Sequence, residues 1–156
     1  MIGRGAVIPA TPMTQKARMT KPNDIAAGRV DIHTVEAAQA VLRTVFNIAR
    51  AWKLTESQTQ ILLGANDATF AQWREGRPTA PLGEASLTRV SHLLNIYAAL
   101  QLLLPIPERA DAWVQTPNTA PLFGGQPALA RMLKGGVQDI EAVAQYLDAQ
   151  RQGDFA

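Results

Sequence analysis

Between Val35 and Gln150, in runs separated by proline and glycine, the apolar residues recur at three- and four-residue steps, and no stretch alternates at period two for long enough to make a sheet. That pattern restricts the chain to packed helices. Val35, Ala38, Leu42, Val45, Ala49 and Trp52 form one stripe, and Thr34 is placed to cap the helix that carries it. A short helix over Glu56–Leu63 follows and stops at Gly64, a residue that tolerates a left-handed turn. Asn66 or Asp67 opens a third helix to about Glu75, closed by Gly76 and Pro78. Pro78, Pro81 and Gly83 break the signal between Arg77 and Gly83. Beyond them Ser86–Leu104 reads as a long helix. Leu87, Val90, Leu94 and Tyr97 make one stripe, widened by Leu93, Ile96, Leu100 and Leu103, so this helix should be buried between neighbours. Shorter helices are expected over Pro107–Gln115, Pro127–Leu133 and Gln138–Gln150, with Pro127 in a first turn and Gly135-Gly136 as a terminator. The fold class is all-α.

Three segments result: an arm at 1–33, a helix-turn-helix domain at 34–83 and a helical domain at 84–156. The arm lacks periodicity, contains Pro9, Pro12 and Pro22, and is predicted to be flexible, either idle or in touch with DNA or a partner. It carries Arg4, Lys16, Arg18, Lys21 and Arg29 against Asp24, although the whole chain of 156 residues has a net charge of only +2. This charge permits nucleic-acid binding without requiring it. There is no cysteine, which removes disulfides, thiolate metal sites and cysteine nucleophiles. No apolar run of signal-peptide length follows the basic start. The most apolar stretch, Val90–Leu104, is interrupted by Ser91, His92, Asn95 and Gln101 and stopped by Pro105. It is shorter than a membrane span requires. A soluble, cytoplasmic protein is expected.

The string from Leu54 to Arg77 has the parts of a helix-turn-helix. Thr55 and Gln58 make a capping box, Ile61 and Leu62 are expected to face inward, and Gly64 provides the turn. Phe70 and Trp73, three apart, anchor the next helix and leave its other face for a major groove. Asn66, Asp67, Ala68, Ala71 and Gln72 would then face the bases, with Gln72 suited to adenine and Arg74 and Arg77 to phosphates. The alternative is a helical hairpin that only packs. Ala68, Ala71 and an acid make a thinly equipped reading face.

Catalytic chemistry finds little support. His33 and His92 are far apart, and no His-Glu-x-x-His arrangement occurs. Gly124-Gly125 and Gly135-Gly136 lack the spacing of phosphate loops, and Ser86 and Ser91 have no triad context. No catalytic residue, metal site or cofactor is expected.

The C-terminal half holds a denser series. Arg89 is followed by Leu103-Leu-Pro-Ile-Pro, Ala112-Trp113, Pro117-Asn118, Phe123-Gly-Gly-Gln-Pro127, Leu133-Lys-Gly-Gly136 and Val143-Ala-Gln-Tyr146-Leu147. Read from the residues alone, Trp113 is a core anchor and Pro117-Asn118 a turn, while Gly124-Gly125 lets backbone pass close to a helix. Over about residues 35–150, and most specifically over Trp113–Leu147, the chain resembles antitoxins of the Xre/MbcA/ParS type. The resemblance implies an Xre-like helix-turn-helix packed with a helical toxin-binding domain. It implies a partner toxin of RES type that consumes NAD or transfers ADP-ribose from it. The antitoxin would cover the toxin's NAD-binding cleft, dimerise, and bind operator DNA to repress its own operon. By the same resemblance Trp113, Asn118, Phe123, Tyr146, Arg151 and Phe155 are candidates for toxin contact. The last helix and tail, from Tyr146 through Arg151 to Phe155, would block the cleft. The competing expectation is a stand-alone repressor whose C-terminal half only dimerises.

Overall fold

A computed structural model describes residues 31–153, of which those from His33 onward form one compact unit. Among the described residues there are seven α-helices and no strand: α1 (Val35–Ala51), α2 (Glu56–Leu63), α3 (Asp67–Arg74), α4 (Glu84–Leu103), α5 (Pro107–Ala112), α6 (Ala128–Met132) and α7 (Val137–Arg151). A 3₁₀ turn, Trp113–Gln115, continues α5. The expected arm lies almost wholly outside the described residues.

Each N-terminal helix begins where its capping chemistry is strongest. Thr34 Oγ1 accepts from the Ala37 N–H at 3.0 Å. Thr55 and Gln58 complete their box, with bonds of 2.9 and 3.0 Å in the two directions. Asn66 Oδ1 accepts from the Thr69 N–H at 2.8 Å. The inward face of α2 is Thr59, Leu62 and Leu63, not Ile61 and Leu62. Positions i, i+3 and i+4 share a face at 100° per residue, which turns Ile61 outward to 39% exposure. The long helix starts at Glu84, two residues before its expected start, because Gly83 serves as its N-cap and Glu84 favours the positive end of the helix dipole. The preceding linker is seated rather than loose: Pro78 and Leu82 are both buried. The stretch Pro107–Gln115 is not one α-helix. It tightens at Trp113 and so places Val114 in the core, while Trp113 stays half-buried. Pro127 is the N-cap residue of α6 rather than part of its first turn.

The helix α4 is the shared element. It packs on α1, α2, α5 and most extensively on α7. One continuous cluster of buried side chains runs from Ala38, Leu42 and Trp52 through Leu93 and Ile96 to Ile140, Val143 and Leu147. Polar ties cross the same seam. Gln115 Nε2 donates to the Trp52 and Lys53 carbonyls at 2.7 and 3.3 Å, closing the C-terminus of α1. Arg89 Nη1 donates to the Ile61 and Leu62 carbonyls at the end of α2, both at 3.3 Å. Its Nη2 donates to the Gly135 carbonyl at 2.7 Å. A cation at a helix C-terminus is favourable, and here it also reaches the turn before α7.

Candidate functional site

Two surfaces hold the candidate residues. The first is α3, held to the core by Phe70 and Trp73, with Phe46 of α1 against Phe70 at 5.8 Å between ring centres. A turn of Gly64, Ala65 and Asn66 joins it to α2, and Gly64 has φ +67°. Gln60 stiffens that turn by donating to the Ala65 carbonyl at 3.1 Å and to Asp67 Oδ1 at 2.8 Å. Asn66 and Asp67 thus lie on the exposed end of α3 but already have internal partners, Asn66 as cap and Asp67 as acceptor. Ala68 and Gln72 are exposed and Ala71 is half-buried. Gln72 makes no side-chain hydrogen bond among the described residues, so its amide is available to a ligand. Arg74 Nη1 pairs with Glu56 Oε1 at 3.0 Å. Arg77 is 4.0 Å from Glu75 and extends into solvent. The six residues Asn66, Asp67, Ala68, Gln72, Arg74 and Arg77 therefore share α3 and the turn after it, with Gln72 and Arg77 the least committed.

The second surface is built by the C-terminal half. Pro117 and Pro127 form an isolated antiparallel bridge that closes the loop between them. Asn118 organises this loop with three bonds. Its N–H donates to the Gln126 carbonyl at 3.2 Å and its carbonyl accepts from the Gly125 N–H at 2.8 Å. Its side chain accepts from the Ala120 N–H at 2.9 Å. Gly124 and Gly125 have φ of +58° and +90°, while a Cβ at either would meet nothing within 4 Å. Their role is the left-handed turn, not the close backbone approach expected from the sequence. The loop delivers Phe123 to a cluster with Trp113 and Tyr146. Trp113 and Tyr146 stack at 6.4 Å with an interplanar angle of 20°, and Phe123 meets them edge-on at 5.7 and 5.1 Å. Phe123 is buried and the other two are half-buried. Of the six candidate toxin contacts, the fold brings these three together and makes Asn118 their support.

Arg151 lies apart from the cluster. It ends α7, 3.8 Å from Asp148, and borders a polar cleft with His92, Asn95, Glu141 and Gln145. Phe155 lies outside the described residues. Beside the aromatic cluster is an open groove of about 240 Å³ lined by Leu103, Leu104, Trp113, Tyr146, Leu147 and Gln150. Leu103, Leu104 and Gln150 are not among the predicted toxin contacts. An apolar residue on a helix looks the same in sequence whether its neighbour is its own chain or another. Among the described residues no three His, Asp or Glu side chains gather as a metal site would require. No helix among them is long and apolar enough to cross a membrane.

Comparison with known proteins bears on this second surface. Residues 99–153 match the family model of the antitoxin Xre/MbcA/ParS C-terminal toxin-binding domain. The match spans the end of α4, the Asn118 loop, the aromatic cluster, the groove and α7. Over 142 residues the chain is 38% identical to the uncharacterized protein y4oB of Sinorhizobium fredii, which covers 90% of this chain and 100% of that relative.

Proposed function

We propose that this chain, which belongs to the Xre/MbcA/ParS antitoxin family through its C-terminal toxin-binding domain, neutralises a RES-type toxin by covering that toxin's NAD-binding cleft. The antitoxin role within a toxin–antitoxin system comes with the domain at residues 99–153. That match is the observation that carries the reading. The RES identity of the toxin, whether NAD-consuming or ADP-ribosylating, is our extension of it.

In this reading the protein works by occlusion and needs no cofactor or chemistry of its own. Binding of this kind relies on a few well-packed anchors, and Trp113 and Tyr146, half-exposed and mutually stacked, have the residue types that most often serve as such. Arg151, at the end of α7, has a planar guanidinium suited to carboxylate or phosphate groups around a nucleotide cleft. Phe155 would follow it into the cleft. The second activity is operator binding through α3, with Gln72 reading a base edge and Arg74 and Arg77 on phosphates. The complex would contain an antitoxin homodimer and act in the cytoplasm.

The experiment is growth rescue joined to an activity assay. Expression of the protein encoded beside this gene should arrest growth and deplete NAD, and co-expression of this chain should restore both. Failure of the intact chain to restore growth, or to bind that protein, would sink the reading. Removing residues 151–156 tests the tail, because the last core residue, Leu147, is retained. Restored toxin activity is expected. Undiminished neutralisation would place the contacts on the packed helices instead.

A further inference from the structure

We infer that the groove beside Trp113 and Tyr146 receives an apolar anchor, an aliphatic or aromatic side chain on a segment of the partner toxin. The inference rests on the antitoxin reading above and assigns it a docking point distinct from the C-terminal tail.

The character of the lining decides the occupant. Leu103, Leu104 and Leu147 present only carbon, Trp113 and Tyr146 mostly ring carbon, and Gln150 at the edge adds one neutral amide. Three other clefts are charged. Arg43, Arg50, Glu56 and Arg74 line the one between α1 and α3, Lys53, Glu108 and Asp111 the one beside Gln115, and Glu141, Asp148 and Arg151 the one along α7. A polar or ionic ligand is better served by any of those. Only an apolar group gains by leaving water for the Trp113 groove.

The wall is also rigid before binding. Trp113 and Tyr146 are stacked, and buried Phe123 backs both edge-on, so little side-chain freedom remains to be lost. Every lining residue of the groove falls inside the toxin-binding match at 99–153. The groove thus belongs to the part of the chain whose family role is to hold a toxin. That favours the toxin over a second copy of this chain.

The test uses the full chain and the purified protein encoded beside its gene, titrated by calorimetry. Gln150→Trp fills the groove from its edge without removing a core side chain. Gln150→Lys puts a charge at the same edge on a slimmer side chain, so it stays informative if the first variant misfolds. Both should raise Kd about tenfold or more, as expected on loss of an anchoring contact, with melting temperature and circular dichroism unchanged. Thr44→Trp, on the exposed face of α1, should leave Kd unchanged. Unaltered Kd in both Gln150 variants overturns the proposal while leaving the antitoxin reading intact. Lack of binding by the unaltered chain overturns the antitoxin reading itself. If Gln150→Trp abolishes self-association but leaves toxin affinity intact, the occupant is a second copy and the proposal is wrong.

Discussion

Arg89 lies directly over Gly64: a Cβ placed on Gly64 would sit 2.7 Å from Arg89 Nε and 3.0 Å from its Cζ. The glycine at the turn between α2 and α3 is therefore required twice, once for its φ of +67° and once to admit the guanidinium. Gly64→Ala should cost about 1–2 kcal/mol from the left-handed backbone alone. Loss of the Arg89 bonds should add to it. Arg89→Lys should not substitute, since one ammonium cannot reproduce the planar fork that serves three carbonyls. Urea unfolding of the two variants and their double mutant measures the coupling. Strictly additive losses would show that the two residues act independently.

Asp139 is the buried acid of α7, and it accepts from Arg131 Nε at 2.7 Å with side-chain exposures of 12% and 30%. Asp139→Asn keeps the shape and removes the charge, and should cost about 1–3 kcal/mol by weakening a charge-assisted bond. The same change in an Arg131→Met background should cost much less. Equal losses in the two backgrounds would mean that the pair contributes nothing as a pair.

The indole N–H of Trp52 is buried with no acceptor among the described residues, although the ring itself is packed in the core against Tyr97 at 6.4 Å. Trp52→Phe loses packed area but also removes an unsatisfied donor, whose burial costs about 1–3 kcal/mol. Its net loss should fall well below that of Trp52→Ala, for which about 3–5 kcal/mol is typical of a large aromatic. Thermal unfolding of both variants checks the ordering. Similar losses would imply an acceptor for the indole.

The proposed operator contacts separate by kind. Arg74→Ala should weaken binding on all sequences and flatten the salt dependence, whereas Gln72→Ala should relax preference at one base position. Glu56→Gln should tighten binding, because it releases Arg74 from its 3.0 Å ion pair. Competition binding over an operator library at two salt concentrations distinguishes them. A uniform loss from Gln72→Ala would rule out base readout by that residue.

The helices of the N-terminal half were legible because local chemistry marks both their ends. Thr34, Thr55 and Asn66 cap where their side chains predict, and Gly64 turns where a Cβ could not. Ile61 was misplaced because the eight-residue helix ends in three successive apolar residues, Ile61, Leu62 and Leu63, and only packing chooses the two that face inward. The tightening at Trp113 has no breaker residue within Pro107–Gln115 to mark it, and at Gly124-Gly125 a sequence does not tell a positive φ from a close approach. Trp113, Phe123 and Tyr146 were each legible as candidates through resemblance. Their stacking, and the groove beside them, arise from three segments meeting and were not.

The seam closed by α4, Arg89 and Gln115 has a bearing on turnover. A protease cleaves the opened state of a protein, and α2 and α3 share one buried cluster with α7, so opening either end exposes the other. A partner held at the C-terminal surface lowers the population of every open form that has lost that surface by the factor 1 + [L]/Kd. Occupancy of the Trp113 face should thus lengthen the cellular half-life of the α2–α3 unit as well, and slow amide exchange at Leu62 and Phe70, residues far from that face in sequence.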